Sequence, residues 1–261
     1  MARGDHWWNE PPWWAWATMA VSLVAIIVML PFALNRTPPD AGPSTGQTPR
    51  PSSSPSSSPS SSSAEPTPTA DADAAQVLVI GDVDTRGFAT GSEGWPALVQ
   101  ERLDGVELTV AATGDSGYAT RETPSSPTFA ELADGADLTD VDVVVVFGSR
   151  FDEAGIADYV QIGASATLGA IAEEAPDAEI VVVGPTWPPE GLAPIGVRTN
   201  RDIVRAAAQG VGASFIDPLA DGWFSDVPGA LGSDGVHLTA AADAYLADRI
   251  QPLVEQALAA A

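Results

Sequence analysis

Residues 77–80 read Val-Leu-Val-Ile and run straight into Gly81-Asp82. Four consecutive apolar residues stopped by a turn signal suit a strand covered on both faces, because a strand with one wet face would alternate. A strand covered on both faces needs helices above and below its sheet. At the Gly-Asp turn that closes such a strand, an α/β protein can present a nucleophile to a pocket. The presenting position here is Val83, which carries none.

The rest of the chain supports that frame. Val106–Ala112, Val141–Phe147, Glu179–Val183 and Ala213–Ile216 read as four further strands. Helical spacing covers Trp95–Leu103, Ile156–Ala175, Val197–Val211 and Thr239–Ala259. Pro96 fits a first helical turn, and Thr239 fits an N-cap. Arg198, Arg201 and Arg205 fall along one helix face. Alternating strands and helices with near-continuous apolar strands predict an α/β fold: a flavodoxin-like, three-layer α/β/α sandwich around a five-stranded parallel sheet of order 2-1-3-4-5. The pocket of such a sheet lies beyond the strands' carboxyl ends, where the order reverses between strands 1 and 3. The loops after Ile80, Ala112, Phe147 and Val183 are therefore expected to line it.

The folded domain is expected over residues 76–261, behind three other segments. Residues 1–12 form a polar, Trp-bearing tail. Trp13 to Leu34 is mostly apolar and uncharged, and about 20 such residues at 1.5 Å each span a bilayer's ~30 Å core. Trp7, Trp8, Trp13, Trp14 and Trp16 cluster at its start, where indole rings favour the headgroup interface. A cleaved signal peptide is the rival reading, but Arg3 is the only early basic side chain and Phe32-Ala-Leu-Asn35 is a poor cleavage site. An uncleaved single-pass anchor is preferred. Residues 35–75 include Pro51–Ser63, PSSSPSSSPSSSS, and read as a disordered linker with nothing to bury. The expected topology is a short tail inside and the domain outside the cytoplasm, on the cell membrane.

Eleven basic against 35 acidic residues give a net charge of −24. That excess repels phosphate backbones, so nucleic acid is set aside as a partner. The chain has no cysteine, which removes disulfides, thiolate metal sites and a Cys nucleophile. With one domain histidine and scattered carboxylates, no metal and no cofactor is expected.

That histidine, His237, lies in Ser233-Asp-Gly-Val-His-Leu-Thr239, just before the last helix. A carboxylate three residues upstream, Asp234, can accept from the imidazole and fix its tautomer, which is the base-and-orienter half of a hydrolase triad. Four stretches in order now carry a resemblance: Val79-Ile-Gly-Asp-Val83, Ala111-Ala-Thr-Gly-Asp-Ser-Gly-Tyr118, Phe147-Gly-Ser-Arg-Phe-Asp152 and Asp234-Gly-Val-His237. Together they resemble the four motifs of the SGNH, or GDSL-type, hydrolases, a family of esterases, lipases and carbohydrate deacetylases with a flavodoxin-like sheet. Val183-Gly-Pro-Thr-Trp187 and Phe215-Ile-Asp-Pro218 with Gly222-Trp223 resemble bacterial members.

The resemblance implies a Ser nucleophile at the position of Val83 and an oxyanion-hole Asn at that of Phe151. It assigns the base to His237, its orienter to Asp234 and an oxyanion N–H to Gly114. The N–H groups of Val83 and Gly114 remain, whereas the Val83 side chain cannot attack and that of Phe151 cannot donate. Loss of such a nucleophile costs about 10⁶-fold in turnover, and loss of one oxyanion donor roughly 10²–10³-fold. Thr85, two residues on, and Ser116, in a second Gly-Asp-Ser triplet, are the alternative nucleophiles; the position of Ser116 fits the oxyanion loop better. Asp82 and Asp115 are expected to shape turns.

Three readings follow. The first is a catalytically impaired domain that binds a cell-envelope glycan, an acyl ester or a protein partner. The second is an active esterase or deacetylase using a displaced nucleophile or a water activated by His237 and Asp234. The third is a structural interaction domain.

Overall fold

The computed structural model describes residues 74–88, 93–188 and 191–261. The expected tail and membrane anchor, and the expected linker as far as residue 73, lie outside these residues, while Ala75, expected at the linker's end, opens the first strand. Among the described residues no helix is long and apolar enough to cross a membrane.

Five parallel strands form one sheet in the order β2-β1-β3-β4-β5, as the sequence predicts. They are β1 (Ala75–Gly81), β2 (Val106–Ala112), β3 (Val143–Phe147), β4 (Glu179–Val183) and β5 (Ser214–Ile216). The helices are α1 (Val83–Arg86), α2 (Gly94–Gln100), α3 (Phe129–Asp134), α4 (Ala157–Glu174), α5 (Ile195–Val211) and α6 (Ala240–Leu258). A 3₁₀ turn covers Arg150–Ala154.

The apolar runs are continuous because each strand feeds two cores. Val77, Val79, Val143, Val145 and Phe147 face Trp95 and Val99 of α2 and Leu246, Ile250 and Val254 of α6. Leu78, Ile80, Val144 and Val146 face Phe129 of α3, Leu168 and Ile171 of α4 and Val204 of α5. All five β3 residues are buried, and each such side chain contributes about 1.5–3 kcal/mol of hydrophobic stabilisation. The edge strand β2 is half exposed.

The sequence reading misses the short helices α1 and α3 and the 3₁₀ turn at Arg150–Ala154. A four-residue helix begins at Val83 where a turn was expected. Helix α3 starts with a capping box, Thr128 N–H donating to Glu131 Oε2 at 2.8 Å. The Thr-x-x-Glu spacing signals it, but six residues carry too little periodicity to stand out. Thr239 does sit at the N-cap position of α6, yet its hydroxyl donates to the carbonyls of Gly229 and Ala230 and ties down the preceding loop.

Candidate active site

The site begins where β1 ends. A Cβ on Gly81 would lie 2.0 Å from Thr85 Oγ1 and 3.3 Å from the Phe147 carbonyl, so only glycine fits. Asp82 caps α1 by accepting from the Asp84 N–H at 2.9 Å. It therefore shapes a turn, as expected. The winding of α1 turns Val83 and Thr85 inward, with relative exposures of 3% and 0%.

Register places the next loop alongside. Gly81 pairs with Ala112, so the chain leaves β1 and β2 side by side. The Val83 N–H then donates to the Gly114 carbonyl at 2.8 Å. The sequence reading left that N–H available for an oxyanion; the fold commits it to a neighbouring loop. Gly114 has a φ of +30°, and a Cβ there would meet the Glu122 carboxylate at 2.0 Å.

Phe151 follows β3, in the 3₁₀ turn. Its neighbour Asp152 is fully buried and accepts from the N–H groups of Tyr118 (2.8 Å), Ala119 (3.1 Å) and Thr120 (2.8 Å). Asp152 thereby ties the β2 and β3 loops together. On the other side of Phe151, the Arg150 guanidinium lies 4.5 Å from the centre of its ring. Arg150 forms a buried ion pair with Asp84: Nε donates to Oδ2 at 2.6 Å and a terminal nitrogen to Oδ1 at 3.1 Å. It also donates to the Val236 carbonyl, next to His237. One side chain thus joins the loops that carry Val83, Phe151 and His237.

His237 is held by its own loop. Its Nδ1 lies 2.9 Å from Asp234 Oδ2, while Asp234 Oδ1 accepts from the N–H groups of Val236 and His237. Its Nε2 lies 3.5 Å from Asp115 Oδ1. The Phe88 ring stacks on the imidazole, centroid to centroid 3.6 Å, with planes 9° apart. The imidazole is thus oriented as a base, but the group facing Nε2 is a carboxylate and not a hydroxyl. Ser116 and Thr85 are both fully buried, and among the described residues neither hydroxyl has a hydrogen-bond partner. Neither hydroxyl is hydrogen-bonded to His237.

The electrostatics follow burial. The hydrogen bond from His237, then those from the backbone N–H groups of Val236 and His237, hold the Asp234 carboxyl at a pKa of about 2. Burial, then the neighbouring Asp84 charge, pushes Asp82 well above the usual carboxylate range. Burial also pushes Asp84 up, against the opposing pull of Arg150.

Sequence reasoning singled out Val83, Phe151, Gly114, Asp234 and His237; the structure places Val83, Gly114 and Phe151 just beyond the carboxyl ends of β1, β2 and β3, and links the His237 loop to them through Arg150 and Asp115. Sequence reasoning missed Asp84, Arg150 and Phe88. Arg150 did leave a signal: it is the one basic residue between Arg121 and Arg198 in a strongly acidic chain. In the loop after β4, Trp187 lines a groove with Pro218, Leu219 and residues 222–231.

No family model matches the chain. It is 36% identical over 200 residues to a GDSL lipase of Mycobacterium tuberculosis, covering 73% of this chain and 86% of that protein. With that relationship, the four motifs in order and the sheet that positions them, the chain belongs to the GDSL, or SGNH, hydrolase family. Solved structures share the fold. TesA matches with a TM-score of 0.56 at 22% identity, over 70% of this chain and 99% of that one. A lipase/acylhydrolase from Enterococcus faecalis gives 0.53 at 14%, over 69% and 96%. A member of the lipolytic G-D-S-L family from Veillonella parvula gives 0.53 at 16%, over 69% and 98%.

Proposed function

We propose that this GDSL-type domain is catalytically impaired and works by binding at the cell envelope, held there by the apolar segment Trp13–Leu34 and its Ser/Pro-rich linker. The observation that carries the reading is the state of the nucleophile turn. Val83 is 3% exposed and its N–H is bonded to the Gly114 carbonyl. The same position therefore lacks a nucleophile and withholds an oxyanion donor, and Phe151 supplies no donor either. Removing the nucleophile alone accounts for about 10⁶-fold in turnover.

The 2.9 Å contact between His237 and Asp234 favours a second reading. In it the dyad activates a water for slow hydrolysis of an ester or a deacetylation. Its weakness is the missing oxyanion stabilisation, worth roughly 10²–10³-fold per donor.

Hydrolysis of p-nitrophenyl acetate by the full chain, beside H237A, decides between the two. The impaired reading expects turnover at the buffer rate in both proteins. Turnover well above buffer that H237A abolishes overturns it. A serine-directed fluorophosphonate is expected to leave the protein unlabelled, and labelling at Ser116 would establish a displaced nucleophile. The anchor is tested separately: the protein is expected to stay with the membrane through alkaline carbonate extraction.

A further inference from the structure

Helices α4 and α5 lie on the same face of the sheet, and a groove of about 660 Å³ runs along their outer sides. Gln161 and Ser165 of α4 and Thr199, Ala206, Ala207 and Gly210 of α5 line it. Small side chains there leave room for a larger one from a facing helix, as ridges enter grooves between packed helices. Beside the groove α4 presents such a side chain: Ile162, 64% exposed, stands one turn before Ser165. Positions three apart neighbour each other on a helix surface, so the protrusion and the recess adjoin.

The outer face of a helix on an acidic domain ordinarily carries charge. Between residues 74 and 261, however, residues 159–172 are the longest stretch without Asp, Glu, Lys or Arg, and residues 206–216 are the next longest. Folding brings parts of both to this groove. The one carboxylate among the described residues that line it is Asp202. Arg201 holds it at 2.8 Å and Arg205 at 3.3 Å. A chain of net charge −24 thus has a groove whose wall shows no uncompensated carboxylate.

We propose that this face binds a second copy of the chain, with Ile162 of each copy entering the groove of the other. An isologous contact needs one surface that carries both a protrusion and its recess, and α4 and α5 supply the pair. Two copies of net charge −24 repel where their carboxylates meet, and this face lets them approach without that cost. Gln161, Ser165 and Thr199 favour protein over lipid as the occupant, because hydrocarbon leaves their polar groups unsatisfied whereas a facing helix can bond them. Helices of 18 and 17 residues make a face of about 25 Å by ~20 Å, roughly 500 Å² before its relief is counted. A standard stable interface buries ~800 Å² per partner, so the pairing is weak and grows with chain concentration. This partner goes beyond the reading of the dyad and stands with or without ester chemistry.

The test is photocrosslinking of the full chain, which has no cysteine of its own. Ala166→Cys, beside Ile162, carries a benzophenone maleimide, and ordinary and isotope-labelled copies are mixed in excess mild detergent before irradiation and peptide mapping. Mixed-isotope pairs from position 166 into α4 or α5 are expected, at a yield that rises with concentration and exceeds that of Glu255→Cys on α6, in the opposite layer. Adding Ile162→Glu or Ala206→Glu should lower the yield roughly ten-fold or more, since symmetry places each new carboxylate in the contact twice. Ile162→Met should keep most of it, with the melting temperatures of all three close to the parent's. Yields equal to the Glu255→Cys control, or unchanged by both Glu variants, would overturn the proposal. Crosslinks into residues 1–73 of the same copy, or to detergent alone, would overturn it by naming another occupant.

Discussion

The loop carrying His237 and the turn carrying Val83 belong to one site but are built differently. Asp234 and His237 have side-chain exposures of 42% and 18%, and they are fixed by bonds within four residues of chain. Val83 is sealed at 3% and is fixed by packing and by a bond to Gly114, 31 positions away. A base bonded to a carboxylate three residues away keeps that hydrogen bond whether or not a nucleophile is present. A nucleophile turn held by tertiary packing accepts an apolar residue readily, because a methyl group there gains burial where a hydroxyl would need a partner. The Asp234–His237 pair is bonded within four residues, whereas its placement against the rest of the site comes from Arg150, Phe88 and Asp115.

Arg150 is the main link between the two regions, and removing it should have the largest effect. R150A leaves Asp84, at 2% side-chain exposure, without its cation. A loss of about 3–5 kcal/mol in urea unfolding is expected. R150K should lose less, because it keeps the charge but not the two-pronged geometry. A shift of the His237 ring resonances in R150K would show that the pair also positions the dyad loop.

Restoring the chemistry on the Val83 side is expected to have the next largest effect. V83S with F151N should raise p-nitrophenyl acetate hydrolysis about 10²-fold over the parent, well below the 10⁶-fold of a complete triad. The shortfall reflects the backbone N–H already spent on Gly114. Full recovery would show that this N–H frees itself when substrate binds, and the contrast between the two regions would weaken.

The two regions should also respond oppositely to pH. Asp234 is held at about 2, below its ordinary 3.8, so the folded state binds that proton more weakly than the unfolded chain. Its stabilisation is present above about pH 4 and is lost as pH falls towards 2. Asp82 is raised above 3.8, so the folded state holds that proton more tightly. Its contribution is present below the ordinary carboxylate range and is lost as pH rises through the folded value. Melting temperature against pH should therefore lose its acid limb in D234N and flatten on the rising-pH side in D82N.

The smallest effect is expected at Phe88. Its ring is 54% exposed and stacked on His237, so F88A should cost no more than about 1 kcal/mol. It should speed modification of His237 by diethyl pyrocarbonate. An unchanged rate would show that the ring does not shield the imidazole.

Much of the architecture was legible because it is written in periodicity. Val106–Ala112 and Glu179–Val183 match their strands residue for residue, and the sheet order is as expected. The candidate site was legible where its motifs are short-range, as in Asp234-Gly-Val-His237. Elsewhere it was not. Thr85 looked like an alternative nucleophile because an extended turn would have aimed it at the pocket, but α1 winds it into the core. Ser116 sits in a Gly-Asp-Ser triplet, yet its loop is folded inward by Asp152, which captures three backbone N–H groups from 32 to 34 residues away.

The amino-acid sequence alone determined the layers, the strand order, the absence of a nucleophile at position 83 and the local Asp234–His237 pair. Each of these depends on side-chain type and on spacings of a few residues. Only the tertiary structure decided that the Val83 N–H is spent on Gly114 and that Arg150 closes on Asp84 66 residues away. These contacts arise from sheet register and from which loops leave adjacent strands, and such geometry has no signature in the local sequence.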